Sequence, residues 1–197
     1  TEVTQAVLHK IADPSCDVII ANFVNVDVLG HIENEEAIKW AVEIVDSHVG
    51  EVVAAAQRAG VTAIVTADHG TVEKWLYPDG AIDTGHTDSP VPFALVSPDP
   101  VTLRDGGSLT DVAPTVLHLL GLPKPADMTG HSLLDGALGD PSQRRRVLLL
   151  ILDGWGYRQE SHGNLIAQAR TPVMDGLRQQ YPFTTLEASG LSLIHIS

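Results

Sequence analysis

Six residues combine ligand chemistry with a telling placement: Asp27, His31, Asp68, His69, His86 and Asp153. Asp68 and His69 stand between the apolar run Val61 to Val65 and Gly70, where a strand would end and the backbone would turn. At the carboxyl edge of an α/β sheet, such a pair offers an oxygen and a nitrogen donor to a divalent cation. The same pair is also an ordinary way to close a strand in a turn, so alone it decides nothing. Asp27 and His31 follow a second apolar run, Asp153 follows a third, and His86 lies on an intervening loop. Six donors suffice for two ions. A dinuclear centre, with ions about 3.5 to 4 Å apart, polarises a phosphoryl group and stabilises both oxygens of an in-line displacement. Mixed carboxylate and imidazole ligation without thiolate favours Mn2+, Zn2+ or Mg2+ over copper or an iron–sulfur cluster.

The elements that must position these groups are readable from periodicity. A helix is expected over Glu2 to Ile11, with Val3, Ala6, Val7 and Ile11 at helical spacing, and a strand over Asp17 to Phe23. From Asn34 to Ala59, apolar residues recur at three and four residue intervals, and the ends are marked by an Asn34 cap, Glu35 and Glu36, Arg58 and Gly60. A strand over Val61 to Thr66 follows directly. Strand, long helix, strand with short connections is a βαβ unit, so both strands should run parallel and end on one edge, where Asp27, His31, Asp68 and His69 converge. Thr71 to Pro92 reads as a loop, Phe93 to Val96 as a short strand, and Leu109 to Leu120 as a helix with Pro114 near its first turn and Gly121 as its stop. Val147 to Leu152 is the most aliphatic strand and ends in Asp153-Gly154-Trp155-Gly156. Pro172 to Gln180 reads as a helix and Thr184 to Ala188 as a strand.

With 197 residues, 44% of them hydrophobic, the chain can build one sizeable core. Its longest aliphatic run is far below the roughly 18 residues that cross a bilayer, and no secretory segment opens it, so a soluble protein without a membrane partner is expected. Cys16 is the single cysteine, which makes the cytoplasm the default location. A formal charge of −13 with only 12 basic residues argues against nucleic acid as a partner and suits divalent cations. The basic run Arg144 to Arg146, after Gly139-Asp140-Pro141-Ser142, reads as a solvated linker.

Longer motifs carry a family resemblance. NVDVLGH (Asn25 to His31), TADHG (Thr66 to Gly70), GHTDSPVPF (Gly85 to Phe93), LRDGGSLTDVAPTVLHLL (Leu103 to Leu120) and MTGHSL (Met128 to Leu133) resemble, in order, the carboxyl-terminal portion of cofactor-independent (2,3-bisphosphoglycerate-independent) phosphoglycerate mutases. LDGWGY, NLIAQARTP and YPFTTLEASG, within Val147 to Gly190, resemble the amino terminus of the same family, so the two blocks stand in reversed order. Ile32-Glu33 and Asp88-Ser89 depart from the family's usual Thr-Gly and Thr-Asn.

The resemblance implies an α/β fold with a mostly parallel sheet and helices on both faces, an alkaline-phosphatase-like metal domain here permuted and truncated. It implies one carboxyl-terminal part over residues 1–138, a linker over 139–146 and an amino-terminal part over 147–190. It also implies two divalent ions, Mn2+ first, with Asp27, His31 and His86 on one and Asp68, His69 and Asp153 on the other. The substrate would be phosphoglycerate, a small phosphorylated acid, interconverted between its 3- and 2-phospho forms in glycolysis by a monomeric isomerase through a phosphoserine. The family's nucleophilic serine lies beyond LEASG and is not Ser189, and its substrate-clamping domain is without counterpart, so no catalytic residue is assigned and little turnover is expected of this chain. The tail Leu191 to Ser197 (LSLIHIS) resembles a translated sequencing adapter and is expected to be non-native. The reversed order is compatible with a circular permutation or with an assembly product. Alternatives are a metal-dependent phosphoester hydrolase of the same superfamily and a non-catalytic metal-binding fragment. His9, His48, His118, His131 and His162 are expected to be packed or surface residues, and no role falls to His195 in the tail.

Overall fold

The computed structural model describes residues 2–136, 138 and 144–188. In chain order the elements are α1 (Glu2–Ala12), β1 (Val18–Phe23), α2 (Asn25–Gly30), α3 (Glu35–Arg58), β2 (Thr62–Thr66), β3 (Val91–Val96), α4 (Val112–Leu119), β4 (Val147–Leu152), α5 (Leu165–Gln168), α6 (Pro172–Gln180) and β5 (Phe183–Leu186). Short 3-10 turns at Val72–Lys74 and Leu109–Asp111 complete the set.

The long helix α3 forms where its periodicity predicts. Asn34 accepts the Ala37 amide at 3.1 Å, and Gly60 takes a φ of 65°, a left-handed closure that a side chain would resist. Ile38, Val42, Val45, Val49, Val52 and Val53 form its buried stripe, each worth about 1.5 to 3 kcal/mol of transfer free energy. That stripe packs against β2 and against α1, α5 and α6.

The sheet runs β1-β4-β2-β3-β5. β4 pairs in parallel with β1 on one side and β2 on the other, Leu149 facing Ile20 and Ile64. The βαβ unit is therefore parallel with its ends on one edge, but β4 separates its two strands. Four of the five strands point the same way, as a mostly parallel sheet requires, while β3 runs antiparallel to both β2 and β5. The sheet is mixed where the chain has only a 3-10 turn and loop between β2 and β3: without the crossover helix that parallel neighbours usually use, β3 returns antiparallel. β2 and β3 are buried at every position, so both their faces are covered. β1 alternates, leaving Val18, Ile20 and Asn22 exposed on one face.

The basic run is not a solvated linker. Arg146 donates to the carbonyls of Lys10, Ile11, Asp13 and Cys16 at 2.8 to 3.2 Å; those of Lys10 and Asp13 also accept the Asp13 and Cys16 amides, so the guanidinium adds to the turn bonds that close α1. Arg144 pairs with Asp17 at 2.7 Å and Arg145 with Asp99 at 3.3 Å. Carbonyls clustered around the end of α1 and nearby carboxylates outweigh the solvation that a charge run would otherwise seek, so these arginines anchor the entry to β4. Residues 139–143 of the expected linker, Ser189 and the tail 191–197 lie outside the described residues.

Candidate metal centre

Parallel β1, β4 and β2 all end on one edge, and each releases a carboxylate there. Asp153 follows β4 directly, and Asp68 follows β2 after one residue. Asp27 sits in the first turn of α2, which begins two residues after β1. Its amide donates to the Asp153 carbonyl at 3.1 Å, and the Thr71 amide donates to the Gly154 carbonyl at 3.1 Å, so the three strand ends are stitched through backbone. Gly154 is required here: its φ is 79°, and a Cβ would stand 2.8 Å from the Asp27 Cα.

Because β3 enters from the same edge, the loop leading into it brings His86 to the carboxylates. Asp27 Oδ1 lies 3.4 Å from His86 Nε2 and 3.9 Å from His69 Nε2, and Asp27 Oδ2 lies 3.3 Å from His31 Nε2. His69 Nε2 is also 3.3 Å from Asp153 Oδ1 and 3.7 Å from Asp68 Oδ2. The His69 and His86 rings stack with centroids 3.8 Å apart. Two groups thus gather their donor atoms within 4.8 Å of one another, Asp27 with His69 and His86, and Asp68 with His69 and Asp153. All six residues singled out from sequence meet at this edge. His31 belongs to neither group but reaches the edge through Asp27 and a tilted contact with the His86 ring, centroids 5.3 Å apart, and His69 stands between the two groups.

The surroundings orient these donors. His31 Nδ1 donates to the Thr84 carbonyl at 2.6 Å, leaving the Nε2 lone pair free to face a cation. Thr71 Oγ1 donates to Asp27 Oδ1 at 3.1 Å, and Asn22 Nδ2 donates to Asp153 Oδ2 at 2.9 Å, which leaves Asp153 Oδ1 turned toward His69. Burial pushes the Asp153 carboxyl above its usual range, and the charges of Asp68 and Asp27 push the same way against the Asn22 hydrogen bond and His69. Three carboxylates and three imidazoles with no lysine or arginine among them fit a divalent cation, which would neutralise that crowding.

Sequence reasoning missed Asn22 and Thr71 as supports and left α2 unassigned. The i, i+4 spacing of Asp27 and His31 was the available signal for α2, because it places both on one helix face.

A family model described as the metalloenzyme superfamily matches residues 1–124 and 145–194. A stretch of 134 residues, 68% of this chain, is 48% identical to the 2,3-bisphosphoglycerate-independent phosphoglycerate mutase of Pseudomonas savastanoi pv. phaseolicola. Over 134 residues the chain is likewise 46% identical to the enzyme of that name from Clostridium botulinum (strain Langeland) and 48% identical to that of Pseudomonas entomophila. In each case the match spans 26% of the relative's length. The resemblance read from the motifs is therefore borne out over 68% of the chain, the superfamily model reaches both blocks, and the chain belongs to the metalloenzyme superfamily.

Proposed function

We propose that Asp27, His31, His86, Asp68, His69 and Asp153 hold two divalent cations, Mn2+ before Zn2+ or Mg2+, as the metal centre of a cofactor-independent phosphoglycerate mutase. The convergence of the two donor groups on one sheet edge carries this reading. Residues 1–138 and 147–190 would be parts of one metal domain, joined through 139–146, of a monomeric cytoplasmic enzyme that interconverts 3- and 2-phosphoglycerate in glycolysis.

Bound ions would supply the positive charge that draws in a phosphoryl group and offsets charge developing on its oxygens. The chain's own residues do the holding. Thr84 fixes the His31 tautomer, and Thr71 and Asn22 each occupy one carboxylate oxygen. The stacked His69 and His86 rings keep two imidazoles at one spacing. Positioning of this kind accounts for much of phosphoryl-transfer catalysis.

Titration calorimetry with MnCl2 at neutral pH tests the site. Two ions per chain are expected, with binding weakened at least ~100-fold in Asp68→Ala and His69→Ala. An unmodified chain that takes up no Mn2+ rejects the assignment. Assays of the 197-residue polypeptide with 3-phosphoglycerate and with p-nitrophenyl phosphate separate the activities. Little or no mutase turnover is expected, and metal-dependent hydrolysis lost in the same variants would favour the hydrolase alternative.

A further inference from the structure

One buried carboxylate near this edge belongs to neither ligand group. Glu73 has no exposed surface, and its Oε1 accepts the Thr87 hydroxyl. Its Oε2 meets no donor among the described residues. Burying such a group is costly, and here it does what a smaller apolar side chain would not. The carboxyl fills a notch between two ligand-bearing segments: a Cβ on Gly70, after His69, or on Gly156, after Asp153, would collide with it. From that notch it holds Thr87, the residue next to His86.

We infer that Glu73 is a positioning residue that latches the His86 segment onto the metal edge. Residues 75–90 contain no helix or strand, so His86 is not carried by a regular element. Its segment is held by a few bonds. The Thr87 amide donates to the Gly70 carbonyl at 2.8 Å, the Thr87 hydroxyl donates to Glu73, and an ion pair joins Lys74 to Asp88. The ion pair is exposed and contributes little; His31 Nδ1 holds the Thr84 carbonyl ahead of His86, and the Glu73 bond is the buried side-chain anchor behind it. The Ser89 amide in turn donates to Thr87 Oγ1 at 3.3 Å, so the hydroxyl relays the anchor along the segment. With the latch closed, the His86 ring lies flat on His69 with Nε2 toward Asp27.

The inference rests on the metal-centre reading for its consequence, and its test separates the two. In chelated, metal-free protein, amide exchange at Thr87 should speed at least ~10-fold in Glu73→Ala and Thr87→Val, with Val65 and Leu95 amides unchanged. Thr87→Ser, which keeps the hydroxyl, should match the unmodified chain. Thr87→Val guards against a Glu73→Ala chain that fails to fold. In Mn2+ titrations, the two disruptive variants should weaken one ion by about 10- to 100-fold and spare the other, as changes to supporting groups do. Unchanged Thr87 exchange in both variants overturns the latch, as does exchange that speeds equally at Val65 and Leu95. Absence of Mn2+ uptake by the unmodified chain overturns the metal centre instead, and the exchange data still decide the latch.

Discussion

Asp111 and Asp153 are both carboxylates drawn out of water, at 7% exposure for the first residue and 16% for the second's side chain, yet their surroundings pull them in opposite directions. Burial disfavours the Asp111 charge, but the amides of His131 and Ser108 and the Arg104 guanidinium outweigh it and hold the carboxyl below its usual range. Asp153 has one amide donor and two carboxylate neighbours, and stays above that range. Asp46 lies between them. Wholly inside, it accepts the Val173 and Met174 amides at the start of α6, but it has no cation and burial prevails, so its carboxyl is raised. A carboxylate with its donors in place ties loops and helices together. One crowded with its own kind is left for a cation to satisfy, and that difference separates structural acids from candidate ligands.

The largest effect that could break this contrast is removal of the satisfied acid. Asp111→Ala leaves the His131 and Ser108 amides without their acceptor and takes one partner from Arg104, and should cost about 2 to 4 kcal/mol in urea unfolding. A loss well under ~1 kcal/mol would mean that the network adds nothing net. Acid sharpens the same point. An unfolded aspartate titrates near about pH 4, so the Asp111 contribution is complete above that value and is lost as pH falls through its lower folded value. Urea midpoints followed downward from neutral pH should therefore fall less steeply below about pH 4 in Asp111→Asn than in the unmodified chain.

A smaller effect is expected at the helix start. Asp46→Ala should destabilise by about 1 to 2 kcal/mol, because two amides of α6 lose their acceptor. Smallest, and opposite in sign, is Asp153→Asn in chelated protein. It removes one of three crowded charges and should raise stability by about 1 kcal/mol or less at neutral pH. A loss of several kcal/mol there would show that Asp153 belongs with the structural acids.

Much of this was legible in the sequence, because periodicity and end signals act locally. α3 has its cap, stripe and stop written in consecutive residues, and β4 matches its expected bounds residue for residue. The carboxylates stood out because each ends an apolar run. What could not be read was long range. Nothing near Arg146 announces that it will meet four carbonyls around the end of α1, and nothing near Asn22 points to Asp153, 131 residues away. The reversal of β3 follows from a connection without a crossover helix, which the loop reading of Thr71 to Pro92 implied without being used for it. Glu73 escaped because a lone glutamate in a loop reads as solvated until the fold closes over it.

The place of β4 between β1 and β2 sets the order in which this molecule can assemble. β1 and β2 are made before β4 but touch each other only through that strand, which follows β2 by some 80 residues. Until that strand emerges, the inner edges of both are open templates with unpaired amides and carbonyls. Such distant pairing is slow and leaves a chain prone to sticking to its own kind while it waits. A chain cut short before Val147 should therefore aggregate or bind chaperones, whereas one that carries β4 through β5 can complete the sheet and bring the three strand-end carboxylates together.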